Sequence, residues 1–139
     1  VHRVARSTDD QLGKYNGLGG KLVADEDVVA CVRRELREEA SIEAVCLRLR
    51  GTVSWPGFGR NGEDHFGFVF VIDAFTGEVP ERNDEGELSW ERIDELHALP
   101  MWEGDRHFLP LVFDPTVAQF HGCLPYSDGE PVGWSVTTL

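Results

Sequence analysis

Cysteine is scarce and badly placed for cross-linking. Cys31, Cys46 and Cys123 lie far apart, are odd in number and form no CxxC pair, which argues against a disulfide framework and against a zinc site. They are expected to be reduced residues of the core and strands in a cytoplasmic protein. Positive charge is also short: 13 Lys and Arg stand against 25 Asp and Glu, for a net charge of −12. A duplex-DNA binder would want a basic stripe, so that class is excluded. No apolar run is long enough to span a bilayer, and no signal peptide is visible. There is no internal repeat, linker or low-complexity segment, so one domain over residues 1–139 is expected. The chain opens on Val1, and His2-Arg3-Val4 reads as the tail of a strand whose first part is missing.

An excess of negative charge suits an anionic substrate only where metal ions mediate the contact. The stretch from Gly20 to Ile42, GKLVADEDVVACVRRELREEASI, carries that idea further. Val28, Val29, Val32 and Leu36 recur at helical spacing and predict an apolar stripe. Asp25, Glu26 and Asp27 crowd the predicted helix start, where carboxylates suit the dipole. Glu35, Glu38 and Glu39 then fall at i, i+3 and i+4 on one face. Like charges so placed repel by a few tenths of a kcal/mol per close pair. A Glu-rich helix face is usually solvated surface; a hard divalent cation is what would favour clustering these oxygens.

Upstream, Gly13, Gly17, Gly19 and Gly20 interrupt the run G-K-Y-N-G-L-G-G-K and imply backbone folded closely over a phosphate or metal. Lys21 is placed to neutralise a phosphate, and Asn16 offers both donors and acceptors to a nucleobase edge. Downstream, residues 43–55 alternate like a strand, and His65–Phe75 is apolar enough to predict a central strand. His65 reads as a strand-end residue. The acidic turn E-R-N-D-E-G-E at 81–87 offers Asp84 and Glu85 as a further ligand or base. A strand is expected to resume at Leu88-Ser89-Trp90. A short helix over Ile93–Leu99 stops at Pro100, and a second helix follows Met101–Arg106. Trp102 beside Asp105 is suited to contact a purine. Phe120–Tyr126 and Val132–Val136 are expected to pair through Ser127–Glu130.

The spacing Gly20, five residues, Glu26, seven residues, Arg34-Glu35-Leu36-x-Glu38-Glu39, then Ile42 resembles the Nudix box, G-x5-E-x7-R-E-U-x-E-E-x-G-U. It departs once, with Ser41 where the box has its final glycine. K-Y-N-G-L-G-G-K, the D-E-G before Trp90, M-W-E-G-D and F-H-G extend the likeness to the MutT and mammalian-type oxidised purine nucleoside triphosphatase branch. The resemblance implies an α/β fold, an α/β/α sandwich around a central mixed sheet. It implies a Mg²⁺- or Mn²⁺-dependent hydrolase that cuts a purine (deoxy)nucleoside triphosphate to monophosphate and pyrophosphate. Glu35, Glu38, Glu39 and the Gly20 carbonyl would be metal ligands, with Glu26 in the outer shell and Glu85 a ligand or base. Arg34 would orient a box glutamate. Asn16, Trp102 and Asp105 fall where the branch holds the base. Gly104-Asp105 stands where the branch has two aspartates, so one carboxylate of the base readout is absent. Implied partners are a small nucleotide, with neither duplex nucleic acid nor membrane, and a monomer or homodimer. Other readings are a Nudix hydrolase of a nucleotide sugar, dinucleoside polyphosphate or ADP-ribose, or a catalytically silent nucleotide sensor.

Overall fold

Asp27 starts the first helix by a local bond pattern: its Oδ1 accepts from the backbone N–H groups of Val29 (2.8 Å) and Ala30 (2.9 Å), satisfying donors that no helical carbonyl can reach. Helix α1 then runs Val28–Ala40. The computed structural model describes every residue from Val1 to Leu139. Leu36 and Ala40 are buried, one turn apart, with Cys31 buried beside them. Val28 and Val32, half-buried, continue that row at i+4 spacing. Val29 was expected on the stripe but lies outside the row and is exposed. The helix ends at Ser41, whose φ of 57° is left-handed and whose N–H closes onto the carbonyls of Arg37 and Leu36. This is the geometry a glycine would serve at lower cost, so the one departure from the box falls on a residue under backbone strain.

The remaining elements are β1 (His2–Arg3), β2 (Ile42–Trp55), β3 (His65–Gly77), β4 (Gly86–Glu87), a 3₁₀ helix (Ile93–Ala98), α2 (Asp105–Phe113), β5 (Phe120–Cys123), β6 (Tyr126–Ser127), β7 (Glu130–Pro131) and β8 (Ser135–Thr138). The central sheet has the order β3-β2-β5-β8. It is mixed, because β2 and β5 are parallel while β5 and β8 are antiparallel. Two small ladders, β1-β4 and β6-β7, complete the strands. The fold is thus a mixed α/β fold around a central mixed sheet, as expected. Two strand expectations are corrected. β3 lies at the edge of its sheet instead of the centre, with Phe66 and Phe68 exposed; an apolar run fixes neither strand order nor edge position. The strand after the acidic turn is Gly86–Glu87, not Leu88–Trp90, because Gly86 pairs with Arg3. The closing hairpin forms as expected: β5 pairs antiparallel with β8 and β6 with β7, the chain turning through Asp128 and Gly129 with φ values of 50° and 79°, the primed turn that two-residue hairpins favour.

The chain divides into two compact units. The first comprises Val1–Cys46 and Ile72–Met101, the second Leu47–Val71 and Trp102–Leu139. In the first, Leu36, Ala40, Ile42, Ala44 and Met101 are buried. Gly77, at φ 105°, has no room for a Cβ, which would sit 2.6 Å from the Ser41 carbonyl oxygen. In the second, Val53, Phe108, Val112, Phe120, Leu124 and Tyr126 form the core. Arg50 is buried there. Its guanidinium donates to the carbonyls of Val112 (2.8 Å), Leu111 (3.2 Å), Asp114 (2.9 Å) and Ala118 (2.8 Å). It therefore caps the C-terminal end of α2, where carbonyls lack helical partners.

Replacing Ser41 with glycine should raise stability. The left-handed penalty of about 1–2 kcal/mol disappears, offset by the extra chain entropy of glycine, about 0.5–1 kcal/mol. A net gain of roughly 0.5–1 kcal/mol corresponds to a Tm rise of about 2–4 °C, measurable by calorimetry. An unchanged or lower Tm would contradict the strain assigned to Ser41.

Candidate active site

The acidic face of α1 is organised by Arg34. Its Nη2 donates to Glu26 Oε1 at 2.7 Å and its Nε to Glu26 Oε2 at 3.1 Å. Its Nη1 donates to Glu35 Oε1 at 2.7 Å and to Glu38 Oε2 at 3.2 Å, and Nη2 also reaches the Lys21 carbonyl at 3.2 Å. A planar guanidinium with five donors can hold several carboxylates at once, which an ammonium cannot do with fixed geometry. The consequence for Glu26 is large. Its Oε1 also accepts from the Val23 N–H at 3.0 Å, and Arg34 foremost, with that amide, lowers its pKa to about 2. Glu26 thus ties the loop before α1 to the helix.

Glu39 is in the opposite situation. Its Oε2 accepts from the Gly19 N–H at 2.8 Å. Burial, with the charges of Glu85 and Glu35 behind it, nevertheless pushes its pKa up to about 7. The Glu85 side chain lies close enough to Glu39 to add to that shift, and Glu85 is ion-paired to Arg3. The acidic turn is fixed from within by Asn83, whose Oδ1 accepts from the N–H groups of Glu85 (2.9 Å) and Gly86 (3.0 Å). Asn83 Nδ2 in turn donates to the Glu39 carbonyl at 3.1 Å. Asp84, the alternative candidate, is exposed.

Gly20 closes this group. A Cβ built on it would collide with the Glu35 carboxylate, so the Gly20 backbone is an immediate neighbour of that acid because it carries no side chain. The first unit therefore brings together Gly20, Glu26, Arg34, Glu35, Glu38, Glu39 and Glu85, with Lys21 contributing its carbonyl. Asn16 lies on the preceding loop, where its Nδ2 donates to the Gln11 side chain. The second unit brings Trp102 and Asp105 together near the start of α2. Trp102 meets Phe58 edge-on, with ring centroids 6.1 Å apart. Burial alone pushes the Asp105 carboxyl up to about 6.

No three acidic, His or Cys side chains come close enough to chelate one ion as they stand, since Arg34 draws Glu35 and Glu38 to itself. The donor set still fits a hard divalent cation. It is all oxygen, a side-chain-free backbone abuts Glu35, and Glu39 is held in a field that opposes its charge. Sequence reasoning missed Asn83 and Arg3, which hold Glu85. Asn within a turn sequence was a usable signal for the first; nothing local marks the second.

A glycine-lined loop thus feeds an acidic helix on a mixed α/β fold, an arrangement whose oxygen donors suit a hard divalent cation. The NUDIX domain family matches residues 1–112. The chain is 32% identical over 114 residues to the uncharacterized Nudix hydrolase YvcI of Bacillus subtilis, covering 78% of this chain and 70% of that one. It is 33% identical over 100 residues to the oxidized purine nucleoside triphosphate hydrolase of Danio rerio, covering 72% of this chain and 63% of that one. It is 34% identical over 110 residues to the NAD-capped RNA hydrolase NudC of Pseudomonas aeruginosa, covering 78% of this chain but 38% of the relative. Among solved structures, the MutT protein of Bacillus halodurans superposes with a TM-score of 0.76 at 28% identity, over 86% of this chain and 79% of that one. The chain belongs to the Nudix family and is a Nudix hydrolase.

Two predictions follow from the electrostatics. Glu39→Gln should stabilise the metal-free protein by removing a charge opposed by burial and by Glu85. Solvent screening holds the gain to about 1 kcal/mol, or roughly 2–4 °C in Tm. A divalent cation held by these acids should raise Tm less in this variant than in the wild type. A Glu39→Gln protein that is less stable without metal contradicts the opposing field. For Asp105 the sign runs the other way from an ion-paired acid. Its folded value near 6 lies above the ordinary 3.8, so the folded state gains stability as pH falls from about 6 to 4 and is penalised above 6. Asp105→Asn should therefore stabilise the protein at pH 8, by up to about 3 kcal/mol, and have little effect below pH 4. Chemical denaturation at the two pH values measures this.

Proposed function

We propose that this Nudix hydrolase is a Mg²⁺-dependent pyrophosphohydrolase of purine (deoxy)nucleoside triphosphates, 8-oxo-dGTP among them, releasing nucleoside monophosphate and pyrophosphate. The observation that carries the reading is the acidic face of α1, with Glu35 against the Gly20 backbone, Glu38 sharing Arg34 with it, and Glu39 beside Glu85, only part of the charge being compensated. In this reading those acids and the Gly20 carbonyl hold the cation, and Mn²⁺ can replace Mg²⁺. When bound, the metal neutralises phosphate charge and makes water more acidic.

The protein's own groups do the rest. Glu26 fixes Arg34, and Arg34 presents Glu35 and Glu38. Glu39 and Glu85 beside it are the groups suited to take a proton from attacking water. Lys21 meets a phosphate as a point charge. Asn16, Trp102 and Asp105 contact the base, and likeness to oxidized purine nucleoside triphosphate hydrolases supports the purine preference.

A second reading has its own support. The NudC relatives, NAD-capped RNA hydrolases by name, are as similar in sequence as the triphosphatases, so a substrate with another group joined to a nucleoside diphosphate is the alternative. Turnover of dGTP, 8-oxo-dGTP, NAD and ADP-ribose in parallel, scoring pyrophosphate against other products, separates the two. Pyrophosphate from the purine triphosphates, fastest in the panel, supports the first reading; activity confined to NAD or ADP-ribose replaces it with the second.

Glu35→Gln should lower turnover by roughly two to three orders of magnitude and leave the fold intact by circular dichroism. Near-normal turnover in that variant would remove the α1 acids from the chemistry.

A further inference from the structure

Position 104 is a glycine where the resembled branch carries an acid, and the second unit shows what fills the space. A Cβ built on Gly104 would collide with the Tyr126 hydroxyl oxygen and with Leu124 Cδ2. Tyr126 is itself buried and held on three sides. Its N–H donates to the Pro56 carbonyl at 2.8 Å. Its carbonyl oxygen would lie 2.7 Å from a Cβ at Gly57, whose φ is +73°. Its ring stands edge-on to Phe58, centroids 4.9 Å apart at 76°, and Phe58 also meets the Trp102 ring edge-on. Two glycines and an aromatic edge therefore fix where the phenol oxygen ends, against the residue that precedes Asp105.

We propose that Tyr126 is a specificity-determining residue, its hydroxyl standing in the space that a side chain at position 104 would take and acting with Asp105 as a polar pair against one edge of a 6-oxopurine base. The inference rests on the purine triphosphate reading. The chemistry of the pair suits such an edge. A phenol donates one hydrogen bond, which a ring carbonyl accepts, and a carboxylate accepts from the adjacent ring and amino N–H groups. Burial, with Asp105's charge behind it, raises the Tyr126 phenol's pKa and keeps it protonated as a donor. The aromatic surfaces of Phe58 and Trp102 are near neighbours and supply apolar contact to a planar ligand. A buried polar group matched to a base edge discriminates strongly, because an unmatched base leaves it unpaired.

Tyr126→Phe removes one oxygen and keeps the ring against Phe58. It should raise KM for dGTP about tenfold, leave kcat nearly unchanged, and lower the dGTP-over-dCTP ratio of kcat/KM about tenfold. Tm should stay within a few degrees, which a purely structural role would not combine with a changed base ratio. In parallel, Gly104→Ala should destabilise the wild type more than it destabilises the Tyr126→Phe protein, because the hydroxyl it strikes is then absent. Wild-type turnover of purine triphosphates with an unchanged base ratio in Tyr126→Phe overturns this inference and leaves the functional reading standing. A wild type inactive on all nucleoside triphosphates overturns both.

Discussion

Everything about the acidic helix depends on one guanidinium. Arg34 sits among Glu26, Glu35 and Glu38, with hydrogen bonds of 2.7–3.2 Å to each, and it alone reconciles three carboxylates on neighbouring turns. Without it, Glu35 and Glu38 would face each other across less than one turn, and Glu26 would have no reason to fold back from the preceding loop. The arrangement is one of brace and load. Glu26, deeply ionised, and the Lys21 carbonyl position the cation; Glu35 and Glu38 are presented by it. Glu39 lies beyond its reach. It accepts a hydrogen bond from the Gly19 amide, and it bears the repulsion of the group. Compensation by Arg34 is therefore partial, and the uncompensated remainder is what a divalent ion would complete.

Much of this was legible in the sequence, and the reasons for what was not are physical. The period of apolar residues located α1 and β2 to within a residue or two, because helix and strand periods are local properties. The box spacing named Gly20 and the acids, and the structure sets Gly20 against Glu35 and holds Glu26, Glu35 and Glu38 on Arg34. Strand order was not legible: the aromatic run of β3 reads as central, yet its place at the sheet edge is set by pairing partners far away in sequence. Nor was the register of the short β4 strand, which His2 and Arg3 decide. Side chains that hold other side chains were hardest of all. Asn83 and Arg3 fix Glu85 through contacts that no period encodes.

Ser41 shows how a departure from a pattern can be read in both directions. In the sequence, Ser41 stands where the box has its final glycine. In the structure the helix still ends in a left-handed residue, with N–H bonds to Arg37 and Leu36. The backbone keeps the geometry and serine bears the strain, because Gly77 packs its Cα against the Ser41 carbonyl and tertiary contact overrides the local preference.

The buried and half-buried charges sort themselves by how fully each is satisfied. Arg50 has four carbonyl partners and an environment built around it, which is the signature of a structural charge. Glu26 is matched by Arg34 and a backbone amide, and it too reads as structural. Glu39 and Asp105 are different: each is an acid whose surroundings oppose its ionised form, by burial at Asp105 and by burial with neighbouring acids at Glu39. A chain selected for stability alone would replace both with amides. Their retention, in two separately packed units, is most simply understood if each awaits a partner from outside the protein. In the proposed function that partner is a cation for Glu39 and a hydrogen-bond donor on a base for Asp105. The residues that violate local electrostatic sense are thus the ones on which the proposed chemistry rests.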